Sequence, residues 1–365
     1  MKVAIVCSWL NQYGGAERVL EAVHEIFPEA PIYTSIFWPE ALPPAYQDWD
    51  IRTSFLNRFP FIHRHHQWYL PLYPYAFEGF DFSEYDLVLS ITSAFAHGII
   101  TSPKTLHICY CLNPARFLWD YHAYIARENI GYLVRMILPL FLYNLRLWDR
   151  LAADRVDHFL AISRTVQQRI LKFYGRNAEI IHPPVDVRRF SPSSEHGDYF
   201  LIISRLVPYK RIDLAVQAFS QLGLPLYIIG DGRDRNTLEA MAAPNVRFLG
   251  RVDDEAIAQY LSKCRAFIFP GEEDFGIAPL EAQAAGRPVI AYAGGGALET
   301  VVDGKTGLFF YEQTPEALAE AVQRFDETCF DSDAIRVHAL RFDRKAFQRK
   351  LADFVYMQCA KGESA

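Results

Sequence analysis

The stretch YFLIISRLVPYKRIDLAVQAFSQLGLPLYIIGDG, residues 199–232, reads as one repeat of a wound sheet. An apolar, β-branched run at 199–204 gives way to a segment of helical spacing at 211–222, and a second strand follows at 225–230. The rhythm continues downstream, with strands predicted at 246–249, 266–269 and 288–292 and helical segments near 233–242, 254–263 and 278–286. Such alternation predicts a parallel sheet wrapped by helices. In open sheets of this kind ligands sit beyond the carboxyl ends of the strands, so function is expected in the loops that follow them.

Working back toward the N-terminus, residues 2–8 form a short apolar run, and GGAERVLEAVHEIF (14–27) places Val19, Leu20, Val23 and Phe27 at helical spacing. Strand-like runs recur at 31–37, 86–91, 106–111 and 158–162, the last leading into Ser163 as N-cap of a helix over 164–174. The class is therefore α/β throughout. Between the two series lies AEIIHPPVDVRRFSPSSEHGD (178–198), whose proline, serine and glycine cluster places a domain boundary within 183–198. The length, 365 residues, fits two domains.

Composition narrows the function. With 51% hydrophobic and 22% charged residues, the chain is expected to be a soluble globular enzyme or binder, and 37 basic against 43 acidic residues argues against coating nucleic acid. Cys7, Cys109, Cys111, Cys264, Cys329 and Cys359 show neither a C-x-x-C pair nor a histidine cluster, which points away from zinc and disulfides and toward the cytoplasm. The first residues read as a strand rather than a signal peptide, and the longest apolar stretch, 136–143, contains Pro139 and falls far short of about 20 residues, so no transmembrane helix is expected. One region departs from the α/β rhythm. From Ile51 to Phe77 there is no acidic residue, while Arg52, Arg58, Arg64, His63, His65 and His66 interleave with Phe55, Phe59, Phe61, Trp68, Tyr69, Tyr73 and Tyr75. This pattern fits either an anionic lipid interface, extended by Tyr132–Trp148, or core aromatics among solvated charges.

Two stretches carry the chemistry. Ser-Arg-Leu-Val-Pro-Tyr-Lys-Arg (204–211) leaves a strand and enters a helix, so Arg205 and Lys210 would bracket the strand end and could neutralise a departing diphosphate without a metal. A surface turn fits the same spacing. Pro-Gly-Glu-Glu-Asp-Phe-Gly-Ile-Ala-Pro-Leu-Glu (270–281) ends a strand and starts a helix with Pro279 in its first turn. Free N–H groups there can bind hydroxyls or phosphate oxygens. Glu281 could accept from a ribose diol and Glu273 from a second sugar, or both could be capping carboxylates.

Taken together these stretches resemble the retaining GT-B glycosyltransferases of family 4, the likeness being closest to the O-antigen mannosyltransferase-like branch. The matching elements are Gly14-Gly15-Ala16-Glu17-Arg18, Arg205 with Lys210, Gly230-Asp231-Gly232, Glu273 and Glu281 spaced as E-x7-E, and GGGALETVVDGKTG at 294–307. The resemblance implies two Rossmann-like domains facing each other across a cleft. The acceptor-binding domain would span 1–187, joined by a C-terminal helix at about 345–360, and the donor-binding domain 188–344. It implies transfer of mannose or glucose from GDP-mannose or UDP-glucose to a saccharide or lipid-linked saccharide acceptor in surface polysaccharide synthesis, without a metal or other cofactor, on the cytoplasmic face of a membrane. Arg205 and Lys210 match the diphosphate pair, Glu273 the carboxylate beside the donor sugar, and Glu281 the ribose carboxylate. Gly14, Gly15, Gly232, Asp274, Phe275, Gly276, Ile277 and Leu280 match donor-binding loops, and the base would rest by Arg251 and Val252.

One departure bears on the donor. In Cys111-Leu112-Asn113-Pro114-Ala115-Arg116 the resemblance places a histidine where Leu112 stands, so either His97 replaces it near the sugar's C6 hydroxyl or the pocket is less polar and suits a 6-deoxy sugar. Rival readings are few. Asp48-Trp49-Asp50 and Asp331-Ser332-Asp333 have the Asp-x-Asp form of metal-dependent transferases, but neither ends a strand. A dehydrogenase lacks the third glycine, position 235 being Arg235. A sugar-nucleotide epimerase and a non-catalytic binder share the fold.

Overall fold

The run at the start of the chain becomes β1 (Val3–Cys7), and around it are laid β2 (Ile32–Thr34), β3 (Ile51–Thr53), β4 (Leu87–Thr92), β5 (Leu106–Cys111), β6 (His158–Ala161) and β7 (Ala178–Ile180). All pair in parallel, in the order β3-β2-β1-β4-β5-β6-β7. A second sheet holds β8 (Phe200–Ile203), β9 (Leu226–Ile229), β10 (Val246–Gly250), β11 (Phe267–Phe269), β12 (Val289–Tyr292) and β13 (Gly307–Phe310), in the order β10-β9-β8-β11-β12-β13. This computed structural model describes residues 1–120, 132–195, 197–326 and 329–362. The chain divides into two units, Met1–Pro183 with Phe347–Ala365, and Pro184–Ala346.

Local chemistry sets the ends of the helices. The helix Arg164–Tyr174 starts where Ser163 Oγ accepts from Val166 N and stops at Gly175, which takes φ +63°. The helix Asp254–Lys263 is capped by Asp253, whose carboxylate accepts from Ala256 N at 2.8 Å. The inner strands β1, β2, β4, β5, β8, β11 and β12 are largely buried, as expected for parallel sheets covered on both faces, whereas the edge strands β3, β7 and β10 carry exposed residues. In the second unit Phe200, Ile202, Ile228, Ile268 and Ile290 pack against Ala215, Val216 and Phe219 of the helix Ile212–Leu222.

The second unit begins at Pro184, inside the 183–198 stretch expected to hold the boundary, because the chain pairs with that unit just after the two prolines. Val185 N donates to Phe342 O at 3.0 Å, and Arg344 N donates to Val185 O at 3.1 Å. The helix Arg344–Gly362 then completes the first unit: Phe347 is buried with its ring 5.5 Å from that of Tyr110, and Gln348 Nε2 donates to Ala22 O.

The aromatic stretch 51–77 lies partly in the core and partly at the surface. Leu56, Ile62, Tyr73, Ala76 and Phe77 enter the core of the first unit, whereas Phe55, Phe61, Trp68 and Tyr75 stand exposed. Phe61 adopts φ +56°, a left-handed conformation unusual for a bulky side chain. On the helix Tyr132–Ala153, Tyr143, Leu147 and Leu151 are exposed while Leu142 and Leu145 face the core. No helix among the described residues is long and apolar enough to cross a membrane.

Buried histidines in the first unit make its stability depend on pH. Loss of water pushes the pKa of fully buried His107, in β5, down to about 3, and that of His66 down to about 4. In the unfolded chain both titrate near 6.5, so below that pH the unfolded state binds protons that the folded state refuses. The stability these groups contribute is complete above about pH 6.5 and falls as the pH drops toward 4. Each should remove about 2 kcal/mol between pH 7 and 5. Denaturant unfolding at the two pH values is expected to show this loss, and His107→Gln to reduce it; an unchanged midpoint would contradict it.

Candidate functional site

In the second unit the sheet order reverses at β8. The chain passes from β8 to β9 on one side and places β11 on the other, so the loops leaving β8 and β11 diverge at a topological switch point, where α/β sheets bind ligands. At this point lies the ion pair of Lys210, from the loop after β8, with Glu273, from the loop after β11: Nζ to Oε1 is 2.5 Å, and both side chains are largely withdrawn from solvent. The approach of the loops needs Gly271, because a Cβ there would lie 2.7 Å from Lys210 O.

The other cation of this loop, Arg205, is exposed and donates from Nη2 to the hydroxyl of Tyr209 at 2.8 Å. The Tyr209 ring also receives Lys210, whose Nζ lies 5.2 Å from the ring centroid. Sequence reading fixed on the charges of this loop and passed over the aromatic between them.

The neighbouring loops are welded to it through backbone groups. Leu206 N donates to Asp231 O at 3.0 Å, Asp234 N to Leu206 O at 3.1 Å, and Gly230 N to Gly250 O at 2.7 Å. Gly230 sits at φ +131°, and a Cβ on it would come 1.9 Å from Ser204 O; one on Gly232 would come 2.2 Å from Leu206 O. The glycines are therefore set by contact between loops. Arg251 and Val252 follow Gly250 at the end of β10, Arg251 exposed and Val252 half-buried.

After Glu273 and Asp274 the chain turns at Gly276, φ +88°, into the helix Ile277–Ala284, whose N-cap position is this glycine. Glu281 lies on this helix, buried. Phe275 and Leu280 are core residues, so their side chains are not pocket walls: Leu280 is fully enclosed, and the Phe275 ring lies 5.9 Å from that of Phe342. The loop after β12 closes over this turn, Gly296 N donating to Glu273 O at 2.8 Å, and a Cβ on Gly296 would lie 2.2 Å from the Phe275 backbone. That contact accounts for Gly296, and a Cβ on Gly295 would likewise lie 2.2 Å from Glu273 O.

In the first unit the switch point lies between β1 and β4. Ser8 Oγ, just after β1, donates to Ala94 O at 2.7 Å in the loop after β4. Gly14 and Gly15 open the helix Gly15–His24 in the β1 loop, Gly14 half-buried and Gly15 exposed. His97 is placed otherwise than expected, for it is fully buried and belongs to the core. Its Nδ1 lies 3.4 Å from Thr92 Oγ1 and its Nε2 3.4 Å from Asp149 Oδ1, and burial lowers its pKa. The reason is Trp148, which covers this turn so closely that a Cβ on Gly98 would lie 2.2 Å from its ring. His97 therefore does not replace the missing histidine. Leu112 itself is half-buried at the carboxyl end of β5.

The Asp-x-Asp pairs have local duties. Asp331 caps the helix Ser332–Ala339 by accepting from Asp333 N and Ala334 N, and Asp50 pairs with Arg52 at 2.8 Å.

Comparison with known proteins agrees with the fold. The family described as Glycosyltransferase Family 4 matches residues 13–189, and that described as Glycosyl transferases group 1 matches residues 186–328. The chain belongs to glycosyltransferase family 4. Its relatives include a GDP-mannose-dependent monoacylated alpha-(1-6)-phosphatidylinositol monomannoside mannosyltransferase of Corynebacterium glutamicum. That protein is 33% identical over 203 residues, covering 47% of this chain and 53% of the relative. The D-rhamnosyltransferase WbpZ of Pseudomonas aeruginosa is 30% identical over 217 residues, covering 56% of each. The chain spans about half the length of the curated relatives it matches. Among solved structures, HepE of Anabaena in complex with UDP superposes with a TM-score of 0.74 over 98% of this chain and 100% of that chain, at 17% identity, which shows the GT-B fold.

Proposed function

We propose that this family 4 glycosyltransferase moves a hexosyl unit, mannose or glucose, from a nucleotide sugar to a saccharide or lipid-linked saccharide acceptor in surface polysaccharide synthesis. The observation that carries the reading is the Lys210–Glu273 pair at the switch point of the second sheet, with Arg205 on the same loop. The donor diphosphate binds Arg205 and Lys210 and the helix-opening turn at Gly276–Ile277, Glu281 takes the ribose diol, and Glu273 a sugar hydroxyl. No metal or other cofactor is needed, since two cations and a helix terminus meet the charge of the leaving diphosphate. The reaction retains the anomeric configuration by front-face attack, the leaving phosphate taking the acceptor proton.

GDP-mannose is the leading donor, supported by the name of the Corynebacterium relative; the rhamnosyltransferase relative and Leu112 support including a 6-deoxy donor. The exposed Phe61, Trp68 and Tyr75, set among Arg58 and Arg64, support peripheral contact with the cytoplasmic membrane face, where a lipid-linked acceptor would be presented.

The test is a screen in EDTA of GDP-mannose, GDP-rhamnose, UDP-glucose, UDP-galactose and UDP-N-acetylglucosamine, with binding and slow hydrolysis as readouts. One donor is expected to bind and release nucleoside diphosphate with EDTA present. Epimerised donor, or no binding by folded protein, would sink the reading, and a requirement for added metal would sink its metal-independent part.

A further inference from the structure

We propose that Tyr209 is the positioning residue of the cationic loop: its hydroxyl fixes the Arg205 guanidinium in the arrangement that receives the donor's diphosphate. The inference rests on the transferase reading of the loop and adds to it a residue that carries no charge.

Three features place the phenol there. Pro208 opens a one-turn 3-10 helix, Pro208–Lys210, closed by Lys210 N donating to Val207 O at 3.0 Å and Arg211 N to Pro208 O at 3.2 Å. The turn ends at Arg211 in a left-handed conformation, φ +52°, which a residue with a side chain adopts at some cost and which redirects the chain into the helix Ile212–Leu222. Between these fixed points Tyr209 has Arg205 Nη2 on its hydroxyl at 2.8 Å and Lys210 Nζ facing its ring at 5.2 Å.

The two cations differ in what else restrains them. Lys210 is held by Glu273 as well as by the ring, and its side chain is largely buried. Arg205 is exposed, and an exposed arginine samples many rotamers, so a diphosphate binding to it must first order the side chain. A hydrogen bond from Tyr209 meets that ordering cost before the donor arrives. The aromatic face contributes separately, by attracting the lysine ammonium. Tyrosine supplies both functions from one position, and phenylalanine would supply only the second.

The experiment is a double-mutant cycle read by calorimetric titration of GDP and UDP, with GMP and UMP as controls that lack the second phosphate. Tyr209→Phe is expected to weaken binding of the better nucleoside diphosphate about 3- to 10-fold, the range expected for ordering one long side chain, and to change the monophosphate far less. In an Arg205→Ala background the same substitution should have no further effect, because the proposed route runs through Arg205. Tyr209→Ala, which removes the ring as well, should cost more than Tyr209→Phe in both backgrounds. Wild-type diphosphate affinity in Tyr209→Phe, or an equal loss with and without Arg205, would overturn the assignment while leaving the transferase reading intact. Wild-type affinity in both Arg205→Ala and Lys210→Ala would instead remove the diphosphate site, and the role of Tyr209 with it.

Discussion

Lys210→Ala is expected to lower sugar transfer by at least about 10²- to 10³-fold in a protein that still folds. This is the expected result for deleting a preorganised cation at the place where negative charge grows on the leaving diphosphate. The residue sits where the sheet order reverses, its ammonium 2.5 Å from Glu273 and its backbone against Gly271. Glu273 holds the ammonium in an ion pair. Removing the lysine therefore affects both the leaving group and the carboxylate. Single-turnover rates with the donor found in the screen, alongside thermal unfolding, check the prediction. Turnover like wild type would exclude Lys210 from the phosphate site, whereas a variant that fails to fold is distinguished by its lost unfolding transition.

Gly230→Ala is expected to destabilise the second unit by about 3 kcal/mol or more. At φ +131° the backbone lies outside the regions open to an L-residue, and the added Cβ would stand 1.9 Å from Ser204 O, a backbone atom that cannot swing aside. Gly223 supplies the comparison. It too has positive φ, +70°, but nothing lies within 4 Å of its would-be Cβ, so Gly223→Ala should cost only the conformational term, about 1 kcal/mol. The thermal transition of the second unit reports both changes. Equal effects at the two positions would show that the loops after β8 and β9 part more easily than their hydrogen bonds suggest.

Much of this architecture is written in local sequence. Ser163 marks the start of the helix Arg164–Tyr174 at the residue expected, and Asp254–Lys263 has the predicted bounds, because in both a capping side chain adjoins a periodic apolar segment. The strands β3, β7 and β13 were not legible. Ile51–Thr53 and Ala178–Ile180 are three-residue edge strands, too short to show a period, and Gly307–Phe310 follows a glycine-rich loop whose motif draws attention away from it. For the site, Arg205, Lys210, Glu273 and Glu281 could be picked out because charges in post-strand loops are conspicuous. Tyr209 could not, since an aromatic in a turn has many uses and only its distances to two cations reveal this one. His97 misled for the converse reason: its neighbours in sequence resemble a loop, whereas Trp148 and Asp149, some 50 residues onward, are what enclose it.

The course of the chain between its two units also has a consequence in time. The first unit is interrupted at Pro183 and resumes only at Phe347, so its sheet is synthesised early but its last helix, with Phe347 on Tyr110 and Gln348 on Ala22, leaves the ribosome after the whole second unit. A polypeptide that emerges from its N-terminus thus completes its second unit first and its first unit last.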